Sequence, residues 1–291
     1  WAIDGTGRAS EVRLVAPGGP AVIGGRSYSA RPRELMLQVG TGVRVVLQNL
    51  VFQHLSKVLS LSGDVELRDV TLTWCWPQSQ NGRAPFVVSG GTALVVNSTF
   101  SHLRAGGYGS RGAAMYVNGG VVSVRQSTFR ANGASRGDGA VEGGGAIHVV
   151  SAVVDVEDSV FEANEQGPYG GRLGSGGGAL YVGSGQVRMA RCTFRGNRAL
   201  LGGAVMQVGG VLELEACLLT SNLARSVDGV GAASGGALYL GGGQTVLSNG
   251  TLLVNNSALN GSSVAHALVA DQTSAHGIGA VSYLLPAPPG R

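Results

Sequence analysis

The chain has 291 residues and a net charge of +4, and it is rich in glycine (50 residues) but poor in charged residues (13%). Its hydrophobic content of 44% is too high for intrinsic disorder, and its glycines lack the three-residue period of collagen. Basic residues are scattered and do not alternate with aromatic ones, so no nucleic-acid partner is expected. No apolar run reaches the roughly 18 residues of a membrane-spanning helix. Abundant glycine with many valines and leucines favours a β-solenoid, which needs tight corners and short strands.

The first part of the chain, residues 1–84, contains short segments of alternating apolar residues. Val43, Val45 and Leu47 alternate with other residues and lead to Phe52. A period of two is typical of strands that bury one face. We therefore predict that this part forms weaker N-terminal coils of the same solenoid that follows.

Residues 85–260 carry two phrases that alternate along the chain. The first is Gly-Gly-Ala followed by an aliphatic residue, and it begins at Gly144, Gly177, Gly202 and Gly235. The second is Phe-x-x-Asn, and it begins at Phe129, Phe161 and Phe194, with leucine replacing phenylalanine at Leu219 and Leu253. Because phrases that return every 25 to 34 residues indicate stacked structural repeats, each pair of phrases is interpreted as one coil.

Residues 144–164 illustrate one coil. Alternation predicts three strands, with a corner after the first and a turn after the second: 146–149, 153–156 and 159–161. Val154, Val156 and Phe161 point inward and Asp155 points outward. Each strand pairs with its copy in the next coil, which gives an all-β parallel β-helix (β-solenoid) of about nine or ten coils.

The repeated residues have physical explanations that require no chemical role. Phenylalanine at the same position of each coil stacks ring over ring, and asparagine forms an amide ladder that satisfies buried backbone groups. Gly-Gly permits a turn with positive φ, and the alanine fits a narrow place. Cys192 and Cys217 share a position that other coils fill with serine, so we predict buried free thiols. Cys75 occupies the asparagine position of its coil.

The C-terminal region contains residues 261–284, predicted as a final coil or cap, and residues 285–291, predicted as a Pro-rich linker or tail. No signal peptide is visible, so we expect a processed mature protein or a piece of a longer polypeptide. Asn-x-Ser/Thr sequons favour a secreted glycoprotein at an extracellular or cell-surface location, and they lie at Asn97, Asn249, Asn255 and Asn260.

The alternation of GGA(I/L/V) and FxxN resembles the repeats of the polymorphic outer-membrane proteins of chlamydiae and, more widely, the right-handed β-helix, pectin-lyase-like superfamily. The resemblance covers roughly residues 90–257. It implies a single-stranded right-handed parallel β-helix and, in the chlamydial family, adhesion and display on the cell surface. The chain departs from that family in having only three cysteines, and autotransport is not inferred.

One group of outward-facing residues would suit an enzyme. Arg188 and Arg191 lie one coil away from Asp155 and Asp158. A polysaccharide lyase or glycoside hydrolase acting on an acidic glycan needs acids and a basic residue on one face. The Asp-rich phrases of hydrolases with this fold are missing, and a solvated charged surface explains the same residues. Catalysis is therefore the alternative hypothesis, and no cofactor or metal is expected.

A second group of residues suggests a lateral binding face. The alignment predicts one outward column: Tyr116, His148, Tyr181, Gln207 and Tyr239. Stacked rings can form a platform for a sugar or a protein partner, and the alternative is cross-strand packing that stabilises the sheet. Long loops between the asparagine and the next Gly-Gly-Ala hold further polar residues: Arg136, Asp138, Tyr169, Arg172, Arg225 and Asp228. Insertions on one side of a solenoid commonly mark its binding face, but glycine-rich loops also tolerate extra length.

The preferred hypothesis is a non-enzymatic, extracellular structural or adhesive segment of a larger assembly or a longer polypeptide. Its expected partner is another protein chain or a glycan along the lateral face. The small excess of basic residues favours an acidic partner.

Overall fold

A computed structural model gives the structure of residues 11–24, 37–56, 58–76, 84–105, 111–134, 143–167, 176–226 and 233–260, together with the backbone of four further short strands. Strands are the only regular elements in these ranges. They form three sheets of 17, ten and seven strands, and all but one of the strand pairs are parallel. The predicted all-β parallel β-helix is therefore confirmed.

Four rows of strands form the walls of the solenoid. Row 1 follows the Gly-Gly-Ala phrase, row 2 comes next, row 3 contains the Phe position, and row 4 follows the Asn position. Rows 1 and 2 belong to the 17-stranded sheet because two strands, Ile147–Glu157 and Leu180–Ala190, run through both rows.

Every other strand belongs to a single row. Row 1 contains Ala2–Ile3, Leu37–Val39, Leu59–Leu61, Phe86–Val88, Met115–Val117, Val205–Gln207, Leu238–Leu240 and Leu268–Ala270. Row 2 contains Glu11–Val15, Arg44–Gln48, Asp64–Arg68, Thr92–Val96, Val121–Arg125, Val211–Glu215 and Gln244–Ser248. Row 3 contains Ala21–Gly24, Leu50–Gln53, Thr71–Thr73, Thr99–Ser101, Thr128–Arg130, Val160–Glu162, Thr193–Arg195, Leu218–Thr220, Leu252–Val254 and Ser282–Leu284. Row 4 contains Arg104–Ala105, Gly133–Ala134, Glu165–Gln166, Arg198–Ala199, Leu223–Arg225, Ser257–Asn260 and Ser263–Ala265.

The Phe position forms the centre of the core, as predicted. Phe100, Phe129, Phe161 and Phe194 are fully buried, and successive ring centroids lie 4.8, 4.9 and 4.8 Å apart with nearly parallel planes. This spacing equals the distance between neighbouring strands. The stack therefore follows directly from parallel pairing in register.

The Asn position forms a continuous amide ladder inside the wall. Asn164 Nδ2 donates to Asn197 Oδ1 (3.0 Å) and to the carbonyl oxygen of Phe129 (2.9 Å), and the backbone N–H of Asn132 donates to Asn164 Oδ1 (3.1 Å). The same pattern continues through Asn222 to Asn256. Each amide thus satisfies buried backbone groups at the bend, which confirms the predicted ladder.

The Gly-Gly-Ala phrase makes a turn in which each of the two glycines is required for a different reason. Gly177 has a φ of +70°, where side chains are unfavourable. At Gly178 a Cβ atom would lie 2.2 Å from the carbonyl oxygen of Gly203 in the next coil. Ala179 is completely buried. The phrase is therefore required by a left-handed turn and by close contact between neighbouring coils.

Each coil also has two corners at which a residue other than glycine usually adopts a left-handed conformation, with φ between +46° and +63°. The first corner lies between rows 2 and 3, and its residues are Asn49, Asp69, Asn97, Gln126, Asp158, Arg191, Ala216 and Asn249. The second corner lies between rows 3 and 4, and its residues are His54, Trp74, His102, Ala131, Ala163, Gly196, Ser221 and Asn255. Bulky residues are unusual at such positions, because a Cβ there costs about 1–2 kcal/mol.

Three details of the predicted coil are wrong. Row 4 was not anticipated, because its strands, such as Glu165–Gln166, are too short to show an alternation. The predicted corner at 150–152 lies within the continuous strand Ile147–Glu157. In the described residues, six parallel strands form row 4 and Ser263–Ala265 joins them by an antiparallel pair, so fewer than the predicted nine or ten coils have all four walls there. The predicted tail, 285–291, lies outside the described residues.

Candidate functional site

The predicted Tyr/His column exists, but one of its members is wrong. Tyr116 pairs with His148, and His148 pairs with Tyr181. Tyr181 then pairs with Met206, and Met206 pairs with Tyr239. The residue in this column is therefore Met206 and not Gln207, because the column lies two residues after each alanine of Gly-Gly-Ala.

The column is also less exposed than predicted. Tyr116 is 3% exposed and His148 is fully buried, whereas Tyr181 and Tyr239 are half-buried. Two turns that precede a Gly-Gly-Ala phrase pass over it: a Cβ atom on Gly143 would lie 3.0 Å from the Tyr181 ring, and one on Gly176 would lie 1.8 Å from Met206 Sδ. Gly143 also provides the carbonyl oxygen that lies 2.8 Å from His148 Nδ1. The N-terminal half of the column therefore packs inside the wall and cannot serve as an open platform.

Ring stacking accounts for the buried members of the column. The His148 ring lies between Tyr116 and Tyr181, at centroid distances of 5.5 and 4.5 Å. Arg111 Nη1 donates to the Tyr116 hydroxyl at 3.4 Å. These contacts agree with the cross-strand packing that the sequence left open as an alternative.

The side chain of Gln207 is buried and hydrogen-bonded to the backbone. It is fully buried, and its Nε2 donates to the carbonyl oxygens of Gly209, Gly210 and Gln244 at 3.3, 3.2 and 3.0 Å. Its Oε1 accepts a hydrogen bond from Thr245. Because these bonds satisfy a bend of the backbone, Gln207 is removed from the binding face.

The acids and arginines of the enzymatic alternative do lie together, on the outer surface of row 2 and of the first corner. Arg188 lies 3.2 Å from Asp155 and 2.6 Å from Glu215, which belong to the coils on either side. Arg191 Nε donates to Asp158 Oδ1 at 2.7 Å. We call this group of five side chains the ion-pair ladder.

The ion-pair ladder favours the charged forms of Asp158, Glu215 and Arg188. Hydrogen bonding from Arg191 lowers the pKa of Asp158, and hydrogen bonds from Asn249 and Arg188 lower the pKa of Glu215. Hydrogen bonds to Glu215 and Asp155 in turn raise the pKa of Arg188. A carboxyl group that acts as a general acid needs the opposite shift, toward a pKa near neutral.

The cysteines are buried free thiols, as predicted. Burial raises the pKa of Cys75 to about 11. A hydrogen bond to Cys217, followed by burial, raises the pKa of Cys192. Other coils fill the Cys192 position with hydroxyls that cap the preceding coil, and Ser127 Oγ accepts from the N–H of Ser98 at 3.1 Å. The hydrogen bond with Cys192 lowers the pKa of Cys217, but all three thiols are buried, whereas an activated nucleophile also needs exposure.

Three of the four sequon asparagines have described side chains, and all three are exposed. Asn97 and Asn249 lie on the first corner, and Asn255 lies on the second. Asn97 Nδ2 donates to Asp69 at 2.6 Å, and Asn249 Nδ2 donates to Glu215 at 2.7 Å. The side chain of Asn260 lies outside the described residues.

Most of the predicted loop residues cannot be placed. Arg136, Asp138, Tyr169, Arg172 and Asp228 lie outside the described residues. Arg225 is described, and its guanidinium lies 3.6 Å from the Glu165 carboxylate, two coils away. This ion pair spans the copy of row 4 that lies between them, Arg198–Ala199.

The structure reveals an aromatic cluster that sequence reasoning missed. Trp74 stacks on His102 at the second corner, with ring centroids 4.4 Å apart and planes at 12°. Trp74 is 46% exposed and the nearby Trp76 is 37% exposed. Counting two residues beyond each Phe position would have aligned Trp74 with His102, but the repeat gave no reason to inspect a position that changes from coil to coil.

The fold and these surfaces define a parallel β-solenoid with an interior of stacked side chains and several lateral faces. The chain matches the family model for the right handed beta helix region over residues 58–259, and it belongs to that family. No curated protein and no solved structure gives a significant match. Within the described residues, no helix has the length and hydropathy of a membrane span, and no three metal-binding side chains converge.

Proposed function

We propose that this β-helix is a non-enzymatic, extracellular structural or adhesive segment that binds a protein or glycan along a lateral face. It functions as part of a larger surface assembly or of a longer polypeptide. The repeated residues support this proposal because stacking and hydrogen bonding account for them fully. The resemblance of its phrases to those of chlamydial surface proteins points in the same direction.

The ion-pair ladder is the observation that carries the proposal. Its carboxylates are the acids that an enzyme of this fold would need, yet each accepts hydrogen bonds from arginine or asparagine. Arg188 contacts Asp155 of the preceding coil and Glu215 of the following coil at 3.2 and 2.6 Å. Glycoside hydrolysis needs one protonated carboxyl group, and paired arginines oppose protonation. The ladder is better suited to holding neighbouring coils in register.

The sequons support an extracellular location. Asn97, Asn249 and Asn255 are exposed at corners, where an attached glycan would extend into solvent without displacing the core.

An activity assay tests the proposal against a polysaccharide lyase or hydrolase. The purified chain is incubated with pectin, alginate and sulfated glycans, and new reducing ends and unsaturated products are measured. We expect no cleavage of any substrate. Cleavage that disappears in Asp155→Asn or Arg188→Gln would overturn the non-enzymatic function and identify the ion-pair ladder as a catalytic site. Arg198→Gln, which changes an exposed arginine away from the ladder, is the matched control.

A further inference from the structure

The second corner carries aromatic rings on three successive coils, at His54, Trp74 and His102. Trp74 has a φ of +53° and His102 has a φ of +53°, and both rings project outward and stack on each other. Alanine, glycine or serine occupies the same corner in the next four coils, at Ala131, Ala163, Gly196 and Ser221. The backbone therefore does not require rings at this corner, and 46% of the Trp74 surface remains open to solvent.

Two further side chains extend this surface. Trp76 follows Trp74 by two residues, and Arg104 follows His102 by two residues. The N–H of Arg104 donates to the carbonyl oxygen of Cys75 at 3.0 Å. In row 4, the N–H of a residue donates to the carbonyl that precedes its neighbour in the coil before, as Gly133 does to Leu103 beside Arg104. Arg104 therefore lies beside Trp76. We call Trp74, Trp76, His102 and Arg104 the tryptophan patch.

In the next coil, the residues beside the tryptophan patch are small. Ala131 and Gly133 occupy the positions next to His102 and Arg104, and neither has a long side chain. A Cβ atom on Gly133 would lie 2.0 Å from Arg104 Nη1, so the guanidinium extends across this glycine. Arg104 forms no ion pair with any side chain in the described ranges. None of the described acidic side chains competes with a ligand for its guanidinium donors.

The surroundings of the patch are positively charged and hydroxylated. Arg130 lies in the coil after His102, with its guanidinium 3.6 Å from the Glu162 carboxylate, so the free positive charge is that of Arg104. Ser101 Oγ donates to Thr73 Oγ1 at 3.0 Å beside the stacked rings. Burial and then the charges of Arg104 and Arg130 lower the pKa of His102. A cationic ligand would be repelled at this surface, whereas an anionic one is attracted.

We propose that the tryptophan patch binds a pyranose ring carrying an anionic substituent, with the ring stacked on Trp74 and the substituent bound by Arg104. The inference rests on the proposed function and names the ligand class and its place. One face of a sugar ring consists of C–H bonds, which pack on an exposed indole. A guanidinium binds a carboxylate or a sulfate through two parallel hydrogen bonds. Neighbouring coils lie about 4.8 Å apart, which is close to the width of one sugar ring.

Tryptophan fluorescence provides a direct test. Trp74 and Trp76 are two of the three tryptophans in the chain, and Trp1→Phe removes the third. The Trp1→Phe protein is titrated with a heparin hexasaccharide, an oligogalacturonate and a neutral cello-oligosaccharide. We expect saturable quenching by at least one anionic ligand and none by the neutral one. Because heparin carries both groups, quenching by heparin alone indicates a sulfate, whereas quenching by the oligogalacturonate indicates a carboxylate.

Two variants locate the site. Trp74→Asn, which tolerates a positive φ, and Arg104→Gln should each weaken binding at least about tenfold. Arg198→Gln is the matched control, because Arg198 is also exposed at the first position of row 4, and its affinity should not change. Circular dichroism confirms that each variant is folded.

Three results would overturn the inference: no quenching by any ligand, equal binding of the neutral sugar, or unchanged affinity in both variants. Binding elsewhere with both variants unaffected would reject the tryptophan patch and leave the non-enzymatic function standing. Cleavage of the ligands, which is measured separately, would reject the proposed function itself.

Discussion

The N-terminal and C-terminal coils form the same bend, the second corner, with different side chains. From Asn132 onward, an inward asparagine stands next to a small residue at the second corner, as in Ala163-Asn164. In the earlier coils, the inward residue is Leu55, Cys75 or Leu103, and its corner neighbour is His54, Trp74 or His102. The backbone conformation is the same in both regions. The difference shows that amide hydrogen bonds are one way to close the bend, and that apolar packing with outer rings is another.

The comparison also separates structural residues from candidate functional ones. The asparagine ladder is buried and fully bonded, so it leaves nothing for a ligand. The aromatic corner has an exposed outer surface and a left-handed tryptophan, which is an unusual and costly choice at this position. Function is therefore expected where the repeat fails and where the side chain faces solvent.

The largest expected effect lies in the ladder. Asn164→Ala removes bonds to Asn197 and Phe129 and leaves the N–H of Asn132 without its acceptor. We expect a loss of about 3 kcal/mol in the free energy of unfolding, because several buried polar groups lose partners. Cys75→Ala, at the equivalent position of the N-terminal region, should cost about 1 kcal/mol. Urea denaturation measures both, and equal losses would show that the two regions do not differ.

A smaller effect is expected at the second corner. Ala163→Gly relieves a left-handed alanine with no ring partner and should stabilise the protein by about 1 kcal/mol. Trp74→Gly relieves the same strain but loses the stack on His102, which is worth about 0.5–1.5 kcal/mol, so its net effect should be near zero. Thermal denaturation distinguishes the two outcomes. A similar gain from both substitutions would mean that the ring stack contributes no stability.

The smallest effect concerns pH. Glu66 is only 9% exposed, and hydrogen bonds from Arg68 and Arg44 lower its pKa from 4.5. A lowered folded-state pKa contributes stability above pH 4.5, and this contribution is lost as the pH falls further and Glu66 becomes protonated. Melting temperatures between pH 6 and 3 should therefore fall less in Glu66→Gln than in the unmodified protein.

The ion-pair ladder provides the comparison for this measurement. Asp158 is more exposed than Glu66, and solvent screens its pair with Arg191. Asp158→Asn should therefore leave the pH dependence almost unchanged. If Asp158→Asn flattened the curve more than Glu66→Gln, burial would not be the deciding factor.

The solenoid and its interior could be predicted from the amino-acid sequence alone. Phe-x-x-Asn and Gly-Gly-Ala identified the ring stack, the amide ladder and the turns, because residues that stack on their own copies must recur at the same position. Period-two alternation also identified which side chains of row 2 face outward, including Asp155. These properties depend on local geometry repeated from coil to coil.

Which outward residues are accessible became clear only from the folded chain. Tyr116 and His148 point away from the core, yet Arg111 packs on the first and the turn at Gly143 on the second. Trp74 and His102 came together because positions far apart in the chain stack at the second corner. Alternation reports the side of a strand on which a residue lies, but what packs over that side depends on the path of the whole coil and of its neighbours.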